Sequence, residues 1–235
     1  MALRYLILIV LLAISPFRLS AQWSLGVSGG ANLSFRTWEV HGASGKTGYK
    51  HTAGWNVAAF ADRILSPALA VRLESGSRLW RNRITYTYTT RNILGNTYTV
   101  ENLDDESYLV WSANCMARLT PFPNKNLYFL AGPELSYFHQ GIQGYSSNKP
   151  GIYDEVVPWV WVNFDNYPIR RVYYLFNFGL GKSFKLGPHS RLLVECRYQR
   201  GPENLSKNEL ISGKMDALQL SVGFARVLES GKRAQ

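Results

Sequence analysis

Seven ionisable residues carry the strongest chemical signal in this 235-residue chain: Asp62, Arg72, Glu74, Arg118, Glu134, Glu195 and Arg197. Arg72 and Glu74 lie two apart, as do Glu195 and Arg197, so on extended strands each pair projects from one face. If such strands enclose a common interior, opposite charges can pair there and satisfy one another. That reading is structural, a lumen plugged by ion pairs, and it stands beside a functional one, a gated path for small solutes or protons. Three carboxylates, Glu74, Glu134 and Glu195, raise the question of general acid–base catalysis, but no fixed spacing joins them. His41, His51, His139 and His189 are dispersed over segments that read as loops and turns, and no Ser-His or Asp-His site is assembled from them. Cys115 and Cys196 have no metal-ligand spacing and make no disulfide framework. The Gly26, Gly29, Gly30 cluster is not a phosphate loop, because no Lys-Ser/Thr follows it. No catalytic residue, cofactor or metal is expected, and the chain reads as a non-enzyme.

The elements that would position the seven charges are strands. From Trp23 to Phe35 one face reads Trp23, Leu25, Val27, Gly29, Ala31, Leu33 and Phe35, and the other carries Ser, Gly and Asn. Similar alternation recurs at 54–64, 68–80, 107–119, 127–140, 172–184, 191–199 and 217–226, giving about eight strands. Short turns at 65–67, 120–126 and 185–190 alternate with longer segments at 36–52, 81–106, 141–171 and 201–216. That asymmetry matches an outer-membrane barrel, with short periplasmic turns and long outer loops. A soluble barrel of the lipocalin kind would turn its polar face to water and fill it with Lys and Glu. The first strand instead offers small polar groups that suit a cramped lumen. The expected fold is therefore an all-β, antiparallel, eight-stranded, transmembrane up-and-down β-barrel, with Trp23, Phe35, Trp55, Trp80, Tyr137 and Phe184 in its aromatic girdles. Cys115 and Cys196 fall on lipid-facing sides of non-adjacent strands.

Residues 1–21 read as a cleaved secretory signal peptide: Arg4, an apolar run from Tyr5 to Ile14, then a junction at Ala21 and Gln22. Residues 22–227 read as the barrel and 228–235 as a polar C-terminal tail. Aromatic residues make up 14% and charged residues 18% of the chain, and mean hydropathy is only −0.15, as alternation requires. No stretch is apolar for long enough to form a transmembrane helix after the signal. Without Arg4 and Arg18, 24 basic and 16 acidic residues remain. The basic residues are scattered, so nucleic acid is not an expected partner; outer-membrane lipid and lipopolysaccharide are.

Four features together resemble the PorT-like family of outer-membrane β-barrel proteins: the Ala21-Gln22 junction; Gly26, Gly29, Gly30 and Asn32; the run Tyr128 to Pro133; and Val194 to Tyr198. The resemblance covers nearly the whole mature chain and implies an OmpA-type eight-stranded barrel in the bacterial outer membrane. PorT is associated with the type IX protein secretion system, so the implied role is an accessory or assembly component of protein secretion, with secretion-machinery proteins as partners. The chain departs from the class in continuing past Phe224 with a tail containing Arg226, Glu229, Lys232 and Arg233. A general structural or adhesive barrel is the alternative, and an outer-membrane lipid-modifying enzyme a distant one. The apolar run Val156 to Val162 marks a partner loop through Trp159 and Trp161, or else a strand extension packed on its neighbours. The stretch 81–99, with Tyr86, Tyr88 and Tyr98 alternating with polar residues, reads as a hairpin above the membrane.

Overall fold

A computed structural model describes residues 22–40, 46–91, 97–148, 155–165, 169–201, 205–207 and 211–228. The expected signal peptide and nearly all of the expected tail lie outside the described residues. Nine strands run in chain order: β1 (Gln22–Val40), β2 (Lys46–Ser66), β3 (Leu69–Arg91), β4 (Thr97–Phe122), β5 (Leu127–Asn148), β6 (Glu155–Trp161), β7 (Val172–Lys185), β8 (Ser190–Arg200) and β9 (Ile211–Leu228). Every pairing among them is antiparallel. Eight of them close a ring, with β1 bonded to both β2 and β9 and β5 to both β4 and β7. The ninth, β6, lies outside the ring and pairs with β5 above β7, from Ile142↔Trp161 to Ser147↔Glu155.

Register carries the alternation around the ring. One row runs Val27, Ala59, Ser75, Ala113 and Leu135. A row of opposite facing runs Phe60, Glu74, Asn114 and Glu134. The first kind of row points outward: Val27, Val57, Phe129, Phe178, Leu180, Val222 and Phe224 are all exposed. The second points inward: Asp62, Arg72, Glu74, Asn114, Glu134, Asn177 and Arg197 are buried. An apolar exterior around a charged interior is the reverse of a soluble barrel, and it is the arrangement of outer-membrane-type barrels, whose strands alternate apolar-out and polar-in. Among the described residues no helix is long and apolar enough to cross a membrane.

Local chemistry sets the turns. At the short-turn end, β4 passes into β5 through a 3₁₀ turn, Pro123–Lys125, followed by Asn126 at φ 54°, a left-handed conformation that Asn tolerates better than most residues. Its carbonyl accepts the Ser183 N–H at 2.9 Å, tying the turn to β7. Inside, Gly26 leaves room for a neighbour: a Cβ there would lie 2.3 Å from the Phe60 ring and 2.5 Å from the Phe224 carbonyl oxygen.

Several expectations need correction. Strands run well past the expected bounds: β3 and β4 stay paired from Leu69↔Leu119 to Arg91↔Thr97, which extends both ring strands into the hairpin read at 81–99. His139 is not in a loop; it lies on β5, stacked on Trp111 with centroids 4.6 Å apart. Trp80 is not a girdle residue, because it shares the register of Arg72 and Glu74 and is fully buried inside the barrel. Among the other girdle candidates, Trp23, Trp55 and Phe184 are exposed on the outer face. The closed ring predicts heat-modifiable migration: unboiled protein in detergent should run apart from boiled protein on a gel, and identical migration would contradict a closed barrel.

Candidate functional site

The interior of the ring contains two layers of different chemistry. Nearer the short turns lies a charged layer with Arg72 at its centre. Its Nε and Nη2 donate to the two Asp62 oxygens at 2.6 and 3.0 Å, and its Nη1 donates to Glu195 Oε1 at 2.5 Å. Arg118 Nη1 donates to Asp62 Oδ2 at 2.7 Å. Arg197 grips Glu74 bidentately at 2.6 and 2.8 Å and also donates to Glu195 through Nε at 3.0 Å. Tyr128 reaches over Gly181 on the intervening strand β7 to donate to Glu195 Oε1 at 2.6 Å. Gly181 makes that crossing possible, since a Cβ there would lie 2.2 Å from the Tyr128 ring.

A second charged group sits on Glu134. Arg78 pairs with it, the Ser136 hydroxyl donates to it at 2.5 Å, and the amides of Asn177 and Gln199 donate at 3.0 Å each. The guanidiniums of Arg72, Arg118 and Arg78 also lie over the rings of Phe60, Tyr128 and Trp80 at 4.2, 4.2 and 5.3 Å. All seven charges singled out from sequence are thus buried in one lumen and paired within it. Arg78 completes the set, giving four guanidiniums and four carboxylates. Sequence reasoning missed Arg78, although it lies in step with Arg72 and Glu74 on β3.

Toward the other end lies an apolar cluster, with Asn82 and Glu106 buried in the register row beyond Trp80 and Tyr108. Trp80, Tyr108, Val110, Phe138, Tyr173, Leu175 and Met215 from the wall pack with Phe164, Ile169 and Leu205 from the connections beyond β6 and β8. Phe164 stacks on Phe138 at 5.6 Å, and Tyr173 lies 4.8 Å from the same ring. Backbone bonds hold these connections down: Arg170 N–H to Leu205 carbonyl and Leu205 N–H to Gly213 carbonyl, each 2.9 Å. Lys207 Nζ donates to the Phe164 carbonyl at 2.9 Å. The segments expected wholly outside therefore send apolar residues inward, because the wall there has apolar side chains to cover.

The candidate partner loop is partly the strand β6. Trp161 is 65% and Val160 53% exposed there, and no strand pairs with the second edge of β6 among the described residues. Trp159 also lies on β6. Cys115 and Cys196 are free, on β4 and β8, which do not adjoin. Among the described residues no three His, Cys, Asp or Glu side chains are grouped to hold a metal ion.

Neither a protein-family model nor a curated protein matches the chain. Similar solved structures include Neisserial surface protein A, 11% identical, with 87% of this chain and 96% of that one covered and a TM-score of 0.42. Ail, the attachment invasion locus protein of Yersinia pestis, is 13% identical, with 87% and 99% covered and a TM-score of 0.39. The outer membrane protease OmpT from Escherichia coli is 10% identical, with 91% and 100% covered and a TM-score of 0.42.

Burial separates the ion pairs in energy. Replacing Arg197 by Met leaves Glu74 and Glu195 short of a partner in the lumen and should cost about 3–5 kcal/mol. Arg83 pairs with Asp105 at 2.6 Å, but its side chain is 40% exposed, so Arg83→Ala should cost at most about 1 kcal/mol. Urea titration of folding into lipid vesicles, followed by tryptophan fluorescence, measures both; equal costs would refute the difference.

Proposed function

We propose that the chain is a non-catalytic barrel of the bacterial outer membrane, serving as an accessory or assembly component of protein secretion of the type IX kind. The observation that carries the non-transporting part is the double closure of the lumen, a charged layer below and an apolar layer above. An eight-stranded barrel is just wide enough for side chains to fill, and here both layers are filled. Glu74, Glu134 and Glu195, the carboxylates that could suggest catalysis, are each held by a guanidinium. What remains able to act is the outside of the molecule: the lipid-facing belt, in contact with outer-membrane lipid and lipopolysaccharide, and the two ends. Support for secretion comes from the resemblance to PorT-like barrels.

A general structural or adhesive barrel is the second reading, favoured by the exposed Val160 and Trp161 beside an open strand edge, a surface suited to contact on the outer side. Photo-crosslinking from positions 159 and 161 in whole cells separates the two. Reproducible capture of a secretion component supports the assembly role, and capture of nothing beyond lipid and neighbouring barrels supports the other. The closed lumen has its own test. Protein reconstituted in planar bilayers should show no stable conductance steps, and regular unitary openings would overturn a plugged barrel.

A further inference from the structure

The short-turn end carries a charge distribution that the ion-pair layer does not account for. Across residues 22–25, 62–72, 118–128, 182–193 and 224–228, which make up this end, the single carboxylate is Asp62. It is already engaged by Arg72 and Arg118. The cations there include Arg63, Lys125, Lys182, Lys185, Arg191 and Arg226 besides those two. Glu74, Glu134 and Glu195 lie farther along the lumen, each held by a guanidinium. This end therefore holds a local excess of positive charge, and in outer-membrane barrels the short-turn end faces the periplasm.

A cavity of about 510 Å³ opens at this end, within the size range of ligand pockets. Arg118, Lys185 and Arg191 line it, beside Ile64, Leu65 and Leu69, and its wall contains no carboxylate. Strand register directs all three cations inward, in step with Asn114 on β4, Ser183 on β7 and Leu193 on β8, each of them buried. Arg118 is nine-tenths buried, and its Nε has no hydrogen-bond partner among the described residues. A buried guanidinium N–H without an acceptor is costly, and an incoming carboxylate would supply one.

We infer that this mouth is a binding site for an acidic peptide segment of a periplasmic protein. Carboxylates suit the three cations, and the aliphatic wall suits the rest of a peptide. Lipid headgroups are poorly placed for it, because the cavity lies on the inner side of the wall, whereas Lys182 and Arg226 point outward to the bilayer. The volume is also far larger than one small anion requires. The assignment does not depend on a role in secretion; it rests on the cavity and its charge alone.

The test uses the full chain, folded in zwitterionic detergent, and a fluorescent hexaglutamate peptide read by anisotropy. Saturable binding at about 0.01 M salt should weaken at least about tenfold at 0.15 M. The double variant Lys185→Gln/Arg191→Gln should lose about tenfold or more in affinity, while Lys125→Gln/Lys182→Gln, which changes cations outside the cavity, should change it less than about twofold. A heat-shift gel confirms that each variant folds. Absence of saturable binding, equal losses in both variants, or displacement by an equal concentration of inorganic phosphate would overturn the assignment.

Discussion

In hydrocarbon an unpaired backbone N–H or C=O has no water to turn to and costs several kcal/mol, so a chain that crosses a bilayer in strands must close its sheet. The ring made by pairing β1 with β9 meets that requirement, and the rest of the structure follows from it. Once closed, every strand has one face toward lipid and one toward a narrow lumen. Period two then places Val, Leu and Phe outside and the polar set inside. β6 pairs only with the β5 segment beyond the β5–β7 ladder, which leaves its other edge open among the described residues. An unpaired edge is tolerable outside the lipid core and nowhere else in this barrel.

The polar face created by closure then has to be neutralised. Arg72 bridges Asp62 and Glu195, and Arg197 bridges Glu74 and Glu195, so no carboxylate in this layer faces the lumen without a guanidinium. Amides and hydroxyls complete the coordination around Glu134. Planar guanidinium forks suit this task better than ammonium groups, since they match a carboxylate with two parallel bonds. The charged members of the layer are accordingly all arginines on the cationic side.

Much of this was legible because strand geometry leaves few choices. Alternation located the ring strands, and spacing by two put Arg72 with Glu74 and Glu195 with Arg197 on shared inner faces. The same parity would have placed Arg78 inside. Trp80 was misassigned because residue type, an aromatic near a strand end, was allowed to outweigh its register beside Arg78. Phe164, Ile169 and Leu205 were illegible for a different reason. Their packing depends on wall residues distant in sequence, such as Phe138 and Met215, and no local period marks a connection that bends inward. The basic mouth was equally hidden, since Arg118, Lys185 and Arg191 come from three separate strands and look scattered along the chain.

The reach of the ion pairs has a consequence for how the barrel assembles. Arg72 and Glu195 are 123 residues apart, as are Glu74 and Arg197, so neither pair can form from a single hairpin. A strand entering the bilayer alone would carry its charges into hydrocarbon without their partners, at a cost of about 2–4 kcal/mol for an arginine at the midplane. Insertion and closure are therefore coupled, and β3 has to wait for β8. Contacts of such long range make folding slow and leave the unfinished sheet open to aggregation until its last strand is in place.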